Sequence, residues 1–166
     1  MAIDLGDLKQ HQNPRGMRFK WDGEEYVAEP TVAQGLAFQV AAHERDQKMA
    51  TIQAKMGAEG VSDEEAVRLS EELQNLITFG TAQVVAPLFG STFVMPEGDT
   101  PARFEGGQLE KLVEAGIDWG TLDKLIIAMW TTMLEGEDVA EAYMQTGKLA
   151  SARELVAKKS TKTRRK

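Results

Sequence analysis

The sequence predicts a mainly α-helical domain with an antiparallel helix hairpin, a small N-terminal β-hairpin and a disordered basic C-terminal tail. Three observations support this: long stretches with apolar residues spaced by three and four, a short alternating stretch around an Asp-Gly pair, and two helix-capping patterns. A chain of 166 residues is long enough for one domain with a core. We expect a flexible arm at 1–16, one domain at 17–156 and the tail at 157–166.

The first folded element is a predicted β-hairpin at 17–28, centred on Asp22-Gly23. This pair is typical of a two-residue type I′ turn, which places Phe19 opposite Tyr26 and Trp21 on the same face. An isolated hairpin is only marginally stable in water, so this aromatic face must pack on helices or on a partner. Phe19, Trp21 and Tyr26 are therefore candidate partner-binding residues.

Two long helices are predicted to follow the hairpin. The first runs to about Met56 and the second, after a break with two glycines, to about residue 85. Because the connection has about five residues, the two helices should lie antiparallel. Each begins with a predicted capping box, formed by Thr31 with Gln34 and by Ser62 with Glu65.

The second half of the chain is predicted to be helical after an irregular link. Residues 87–105 contain prolines and glycines but also apolar side chains, so the link should lie against the core. A short helix at 108–115 precedes one that Asp118 or Thr121 caps, and this helix is apolar almost all round. Two further helices are predicted at 137–145 and 149–156.

Composition and motifs argue against a catalytic protein. There are no cysteines, and His43 has no second histidine at a metal-ligand spacing. The glycine clusters match no phosphate-binding pattern, and no apolar run approaches the roughly 20 residues needed to cross a bilayer. The N-terminus lacks the basic start and apolar stretch of a signal peptide. We therefore expect a cytosolic protein that is not an enzyme, needs no cofactor or metal and binds no membrane.

Charge divides the chain into an acidic body and a basic end. The whole chain carries 26 acidic and 19 basic residues, and six of the basic ones lie in the last eleven positions with no acid. The remainder thus has 13 basic against 26 acidic residues, a net charge of −13. The tail could bind nucleic acid weakly, but it has no interleaved aromatic residue for base stacking. We favour a solubilising end over a nucleic-acid partner.

The order of the sequence features carries a resemblance. A short polar start is followed by an F-x-W-D-G-x-x-Y pattern (Phe19 to Tyr26) and then by an acidic helical body. Further on, Asp118-Trp119-Gly120-Thr121 opens an apolar helix, and the end of the chain is rich in lysine. In this order the chain resembles the tail assembly chaperones of long-tailed phages infecting actinobacteria. The likeness covers most of the chain.

This resemblance implies a function and partners. Such proteins coat the long helical tape measure protein before the tail tube polymerises around it, so the chain would act in the host cytoplasm and be absent from the mature virion. Further implied partners are the tail tube protein and a longer form of the same chain made by programmed frameshifting, with which Lys158-Lys159 is compatible. Whether the chain forms homo-oligomers is left open.

For a helical client we predict a groove between the two long helices. Eight methionines occur in the chain. Any single methionine is more often core filler, but the whole set, together with the aromatic hairpin, favours a groove that accepts varied segments. The predicted groove residues are Met49, Ile52, Met56, Leu69 and Leu73.

Two other classes of function remain open. One is a virion structural protein, such as a head–tail connector or tail component, in which the β-hairpin adds strands between subunits. The other is a small nucleic-acid-binding regulator acting through the basic tail, for which a salt-dependent gel shift lost on deleting 157–166 would be diagnostic.

Overall fold

A computed structural model describes residues 15–163 and confirms the mainly α-helical class with its N-terminal β-hairpin. Within this part of the chain, no helix is both long and apolar enough to span a membrane. The elements follow in the order β1 (Met17–Trp21), β2 (Glu24–Ala28), α1 (Val32–Met56), α2 (Asp63–Val85), a 3-10 turn (Ala86–Phe89), β3 (Thr92–Val94), β4 (Arg103–Glu105), α3 (Gly107–Glu114), α4 (Trp119–Leu134), α5 (Glu137–Thr146) and α6 (Leu149–Thr163).

The β1–β2 hairpin has the predicted register. Phe19 pairs with Tyr26, and Asp22 and Gly23 both have positive φ, 49° and 82°, as a type I′ turn requires. The rings of Phe19 and Tyr26 stack with centroids 5.4 Å apart. The aromatic face packs on the helical core, and Trp21 Nε1 donates to the Ala115 carbonyl at the end of α3. Of the two alternatives for this face, the structure shows packing on helices.

The α1–α2 hairpin is antiparallel, as predicted. Thr31 and Gln34 form the complete capping box of α1, while the Ser62 hydroxyl accepts from the Glu65 N–H at the start of α2. Lys48 Nζ on α1 forms an ion pair with Glu72 Oε1 on α2 at 3.0 Å.

Gly80 in the last third of α2 leaves room for a side chain of α1. A Cβ at this position would lie 3.0 Å from Arg45 Nε. The Arg45 guanidinium donates to the Thr81 hydroxyl and lies 5.3 Å from the centre of the Trp130 ring on α4. The lower helix propensity of glycine, about 1 kcal/mol relative to alanine, is thus offset by the two contacts of Arg45, which join α1 to α2 and to α4.

Helix α4 is the centre of the core. Half of its sixteen residues are buried, which agrees with its apolar sequence. One side faces β1–β2, α1, α2 and α3, where Phe38 of α1 packs edge-on against Trp130. The other side, at Ala128, packs on α5 and α6. Two buried hydroxyls, of Thr131 and Thr132, donate to carbonyls one turn earlier and so remain hydrogen-bonded.

The link at 87–105 is more regular than predicted. β3 and β4 form a second antiparallel hairpin in which Phe93 pairs with Phe104. Both rings are buried, together with Phe89, so the expected packing of this segment on the core is confirmed. Sequence pattern missed the strands because each has only three residues, too few to show an alternation.

The structure describes residues on both sides of the predicted domain bounds. Arg15 Nη1 donates to the Met133 carbonyl (2.5 Å) and the Gly16 N–H to a Glu137 carboxylate oxygen, so these two residues of the predicted arm contact the helices. Helix α6 continues past Val156 to Thr163 and therefore includes residues 157–163 of the predicted tail. Lysines near a helix C-terminus are favourable for the helix dipole, and α6 lies beside acidic α5. Residues 1–14 and 164–166 lie outside the described part.

Candidate functional site

The five groove residues predicted on the long helices do not share one exposed surface. Ile52 and Leu69 are only 4% and 2% exposed, so they belong to the interior of the α1–α2 hairpin. Met49 and Leu73 are half-buried, and Met56 is 38% exposed at the end of α1. Ile52 and Leu69 are buried because an antiparallel pair of helices buries the stripes that face each other. A role for this region in partner binding stays a prediction.

The aromatic residues predicted on the β-hairpin lie far from those positions. Tyr26 is buried in the same core as Phe38, and Ile52 lies about 21 Å further along α1. Phe19 is half-buried and lines a cavity of about 310 Å³ between β1, α4 and α5. Trp21 holds α3 through its indole hydrogen bond, so the hairpin also supports a neighbouring surface.

That neighbouring surface carries the strongest candidate site, an apolar groove of about 490 Å³. It lies between the β3–β4 hairpin, α3, the start of α4 and one residue of α2. We call it the aromatic groove. Its lining residues are Phe79, Phe93, Ala102, Arg103, Phe104, Glu110, Val113, Glu114, Ile117, Trp119 and Leu122.

Three phenylalanines form a continuous aromatic wall of the groove. Phe93 stacks on Phe79 of α2 with centroids 5.8 Å apart, and it meets Phe104 edge-on at 5.1 Å. Pairs with these geometries contribute about 0.5 to 1.5 kcal/mol beyond the burial of their area. Since Phe93 and Phe104 are also cross-strand partners, the short hairpin fixes the wall.

Trp119 is the most exposed of the large apolar side chains that line the groove. It is 57% exposed, and Val113 on α3 is exposed beside it. The backbone beneath Trp119 is fixed because Asp118 caps α4: its carboxylate accepts from the N–H and the hydroxyl of Thr121. These hydrogen bonds from Thr121 lower the pKa of Asp118. An indole placed on a rigid helix start can bind an apolar partner with little loss of conformational entropy.

Helix α3 is positioned by a close backbone contact. The Ser91 hydroxyl, which is buried, accepts from the Leu109 N–H, and Gly107 lies directly against the Gly90 carbonyl. The Gln108 side-chain amide donates to the Val27 carbonyl, which ties α3 to the first hairpin. The wall of the groove formed by α3 is therefore held from both sides.

The rim of the groove is acidic. Arg103 is paired with Glu105 at 2.5 Å, so its charge is largely neutralised. Glu110 accepts from the Gly106 N–H at 2.9 Å, and Glu114 lies one turn later on α3. The lining therefore holds one cation, already paired, and two carboxylates, which favours a ligand with positive charge next to its apolar part.

The lining of the groove is mostly apolar. Among residues 15–163, no group of three or more His, Asp or Glu residues is placed to hold a metal ion. No protein-family model, curated protein sequence or solved structure matches the chain. Fold and groove together define the class: a helical domain that presents a preformed apolar groove.

Sequence reasoning named Trp119 only as part of the Asp118–Thr121 segment and did not place it in a site. One signal was present, because a tryptophan in the first turn of a helix, next to the capping residue, precedes the buried stripe that starts at Leu122. The aromatic partners from α2 and β3–β4 were not predictable as neighbours, since that requires the tertiary fold.

Proposed function

We propose that the protein is a tail assembly chaperone, which binds apolar helical segments of a phage tape measure protein while the tail tube assembles. The observation that carries this proposal is the aromatic groove with Trp119 more than half exposed. The groove includes a residue of the Asp118–Thr121 segment that supports the resemblance. Exposed apolar area on an otherwise acidic protein suits a chaperone that must bind clients and remain dispersed.

The size and charge of the groove indicate the kind of segment it binds. A volume of about 490 Å³ is within the usual range for ligand sites and accommodates a few apolar side chains rather than a whole helix. A helix laid across it would insert residues spaced by three and four between Trp119 and the phenylalanine wall. Lysine or arginine residues flanking this stripe would face Glu110 and Glu114.

A binding test uses the intact chain co-expressed with the tape measure protein. Trp119→Glu places a carboxylate in the groove, while an acid in the first turn of α4 is favourable for the helix. We expect this variant to lose co-purification and to keep its helical circular dichroism, since a central tryptophan commonly contributes about 2 kcal/mol or more to an interface. The matched control is Val67→Glu on exposed α2, which should bind normally.

A second variant tests the acidic rim. Glu114→Lys, in the last turn of α3, is compatible with the helix dipole and should weaken binding of a client with basic flanks and reduce its salt dependence. Normal binding by Trp119→Glu would move the client site elsewhere. Failure of the unmodified chain to bind the tape measure protein would reject the function.

The proposed place of action is the host cytoplasm, with the protein absent from the mature virion. Detection of the chain in purified virions at the stoichiometry of a tail or connector protein would instead favour the virion structural alternative.

A further inference from the structure

Helix α1 has a second apolar stripe that faces away from the core. Val32, Leu36 and Val40 are 83%, 60% and 59% exposed, although all three are large aliphatic residues. Because they are four residues apart, they lie on one face of the helix, roughly opposite the buried Phe38 and Ala42. We call these three residues the outer stripe.

The outer stripe lies in an uncharged part of an acidic protein. Residues 32–42 contain no charged side chain, and the first charge in α1 is Glu44. Residues 15–163 as a whole hold 24 acidic and 15 basic residues. The full chain has 26 and 19, of which two acids and one base lie in 1–14 and three bases in 164–166. The outer stripe is thus a place where two acidic copies can approach with little charge repulsion.

The order of residues in the outer stripe makes it self-complementary. Val32 and Val40 are placed symmetrically about Leu36, four residues on each side. Two antiparallel α1 helices related by a two-fold axis at Leu36 would pair Leu36 with itself and Val32 with Val40 of the other copy. A two-fold interface requires this kind of match, in which the same patch serves both partners.

The neighbouring residues allow two helices to come close. Ala33 and Ala37 flank the outer stripe, are exposed and have small side chains. Together with the outer stripe they form a patch in which residues follow each other in steps of three and four. Steps of three and four are the spacing by which helices pack side by side.

We propose that the outer stripe is the interface of a reversible homodimer, formed by antiparallel packing of the first halves of two α1 helices. A second copy fits this surface better than a basic client segment does, because the outer stripe itself is aliphatic and self-complementary, and the nearest carboxylates along the chain, Glu29 and Glu44, lie beyond its two ends. Three turns of helix bury less than the roughly 800 Å² per partner of a standard interface, so the dimer dissociates on dilution. The proposal does not depend on the function of the aromatic groove.

The first experiment measures the mass of the full chain by sedimentation equilibrium over a wide range of concentrations. The unmodified protein should change from monomer to dimer as concentration rises. Leu36→Glu puts two like charges at the axis and should weaken association by more than about tenfold. Leu36→Lys should do the same, yet an equimolar mixture of the two variants should associate again, because residue 36 faces itself. Val67→Glu is the control with unchanged association.

The second experiment tests the antiparallel direction. The double variant Val32→Lys/Val40→Glu places each new cation opposite a new anion only if the helices are antiparallel, so it should dimerise. The matched variant Val32→Glu/Val40→Glu should not. Circular dichroism confirms that each variant remains helical.

Several results would overturn the proposal. A monomer at every concentration refutes it, and so does a dimer that Leu36→Glu leaves unchanged. A monomer whose tape measure binding is lost with Leu36→Glu would assign the outer stripe to the client instead. If Trp119→Glu loses client binding but still dimerises, the result supports a separate role for the aromatic groove and leaves the dimer proposal intact.

Discussion

Replacement of Gly107 by alanine tests how the aromatic groove is held together. Gly107 has φ of +64°, and a Cβ there would overlap the Gly90 carbonyl and lie 2.6 Å from Ser91 Oγ. The left-handed backbone costs alanine about 1 to 2 kcal/mol. Relief of the overlap must move the Ser91 segment away from α3, which breaks the hydrogen bond from Leu109 to Ser91, at about 1 kcal/mol, and strains the β3–β4 backbone. We expect a total loss of about 3 to 5 kcal/mol.

Gly98→Ala is the matched control. Gly98 also has positive φ, +55°, but a Cβ there would meet nothing within 4 Å. Its substitution should cost only the backbone term of about 1 to 2 kcal/mol. Urea unfolding of both variants gives the two free energies, and the Gly107 variant should also melt about 6 to 20 °C below the unmodified protein. Equal losses in the two variants would show that the close contact of Gly107 with Gly90 does not hold α3.

Two further predictions concern α1 and the start of α4. Ile52→Asp buries a carboxylate inside the helix hairpin and should lower the free energy of unfolding in urea by more than about 4 kcal/mol. Met56→Asp, at the exposed end of α1, should lower it by no more than about 1 kcal/mol. Similar losses in the two variants would contradict the different burial of the two residues. The lowered pKa of Asp118 means that its carboxylate stabilises the fold above its unfolded-state pKa of about 3.9, and this contribution is lost as pH falls through the lower folded value. Asp118→Asn should therefore flatten the decrease of melting temperature at acidic pH, and an unchanged profile would contradict the capping role.

The elements predictable from sequence are those with strong local chemistry. Asp22-Gly23 fixes the turn of the first hairpin and with it the register of five residue pairs. Thr31 and Ser62 fix the starts of α1 and α2, since their hydroxyls accept from the backbone three residues on. These features depend on neighbours within a few positions, so the rest of the fold does not alter them.

The elements that sequence pattern missed depend on tertiary contacts. β3 and β4 are each three residues long and are held by the packing of Phe93 and Phe104 on α2 and on each other. Helix α6 continues beyond Val156 beside α5, and Asp138, Glu141 and Lys159 line one cleft. A basic segment considered without that acidic neighbour is typical of a disordered tail.

The exposed face of α1 was hard to predict because this helix carries two stripes at helical spacing that overlap in sequence. Phe38, Ala42, Arg45, Met49, Ile52 and Met56 are spaced by four and three, and so are Leu36, Val40, His43, Gln47, Ala50 and Ala54. Periodicity shows that both faces exist, but it cannot show which one the domain covers. Phe38 is covered because Trp130 and the core lie against it, which leaves Leu36 outside. Exposed large apolar side chains therefore lie on the first half of α1 and at Trp119, whereas Ile52 is buried. A groove made from residues of four separate elements becomes visible only when the fold brings them together.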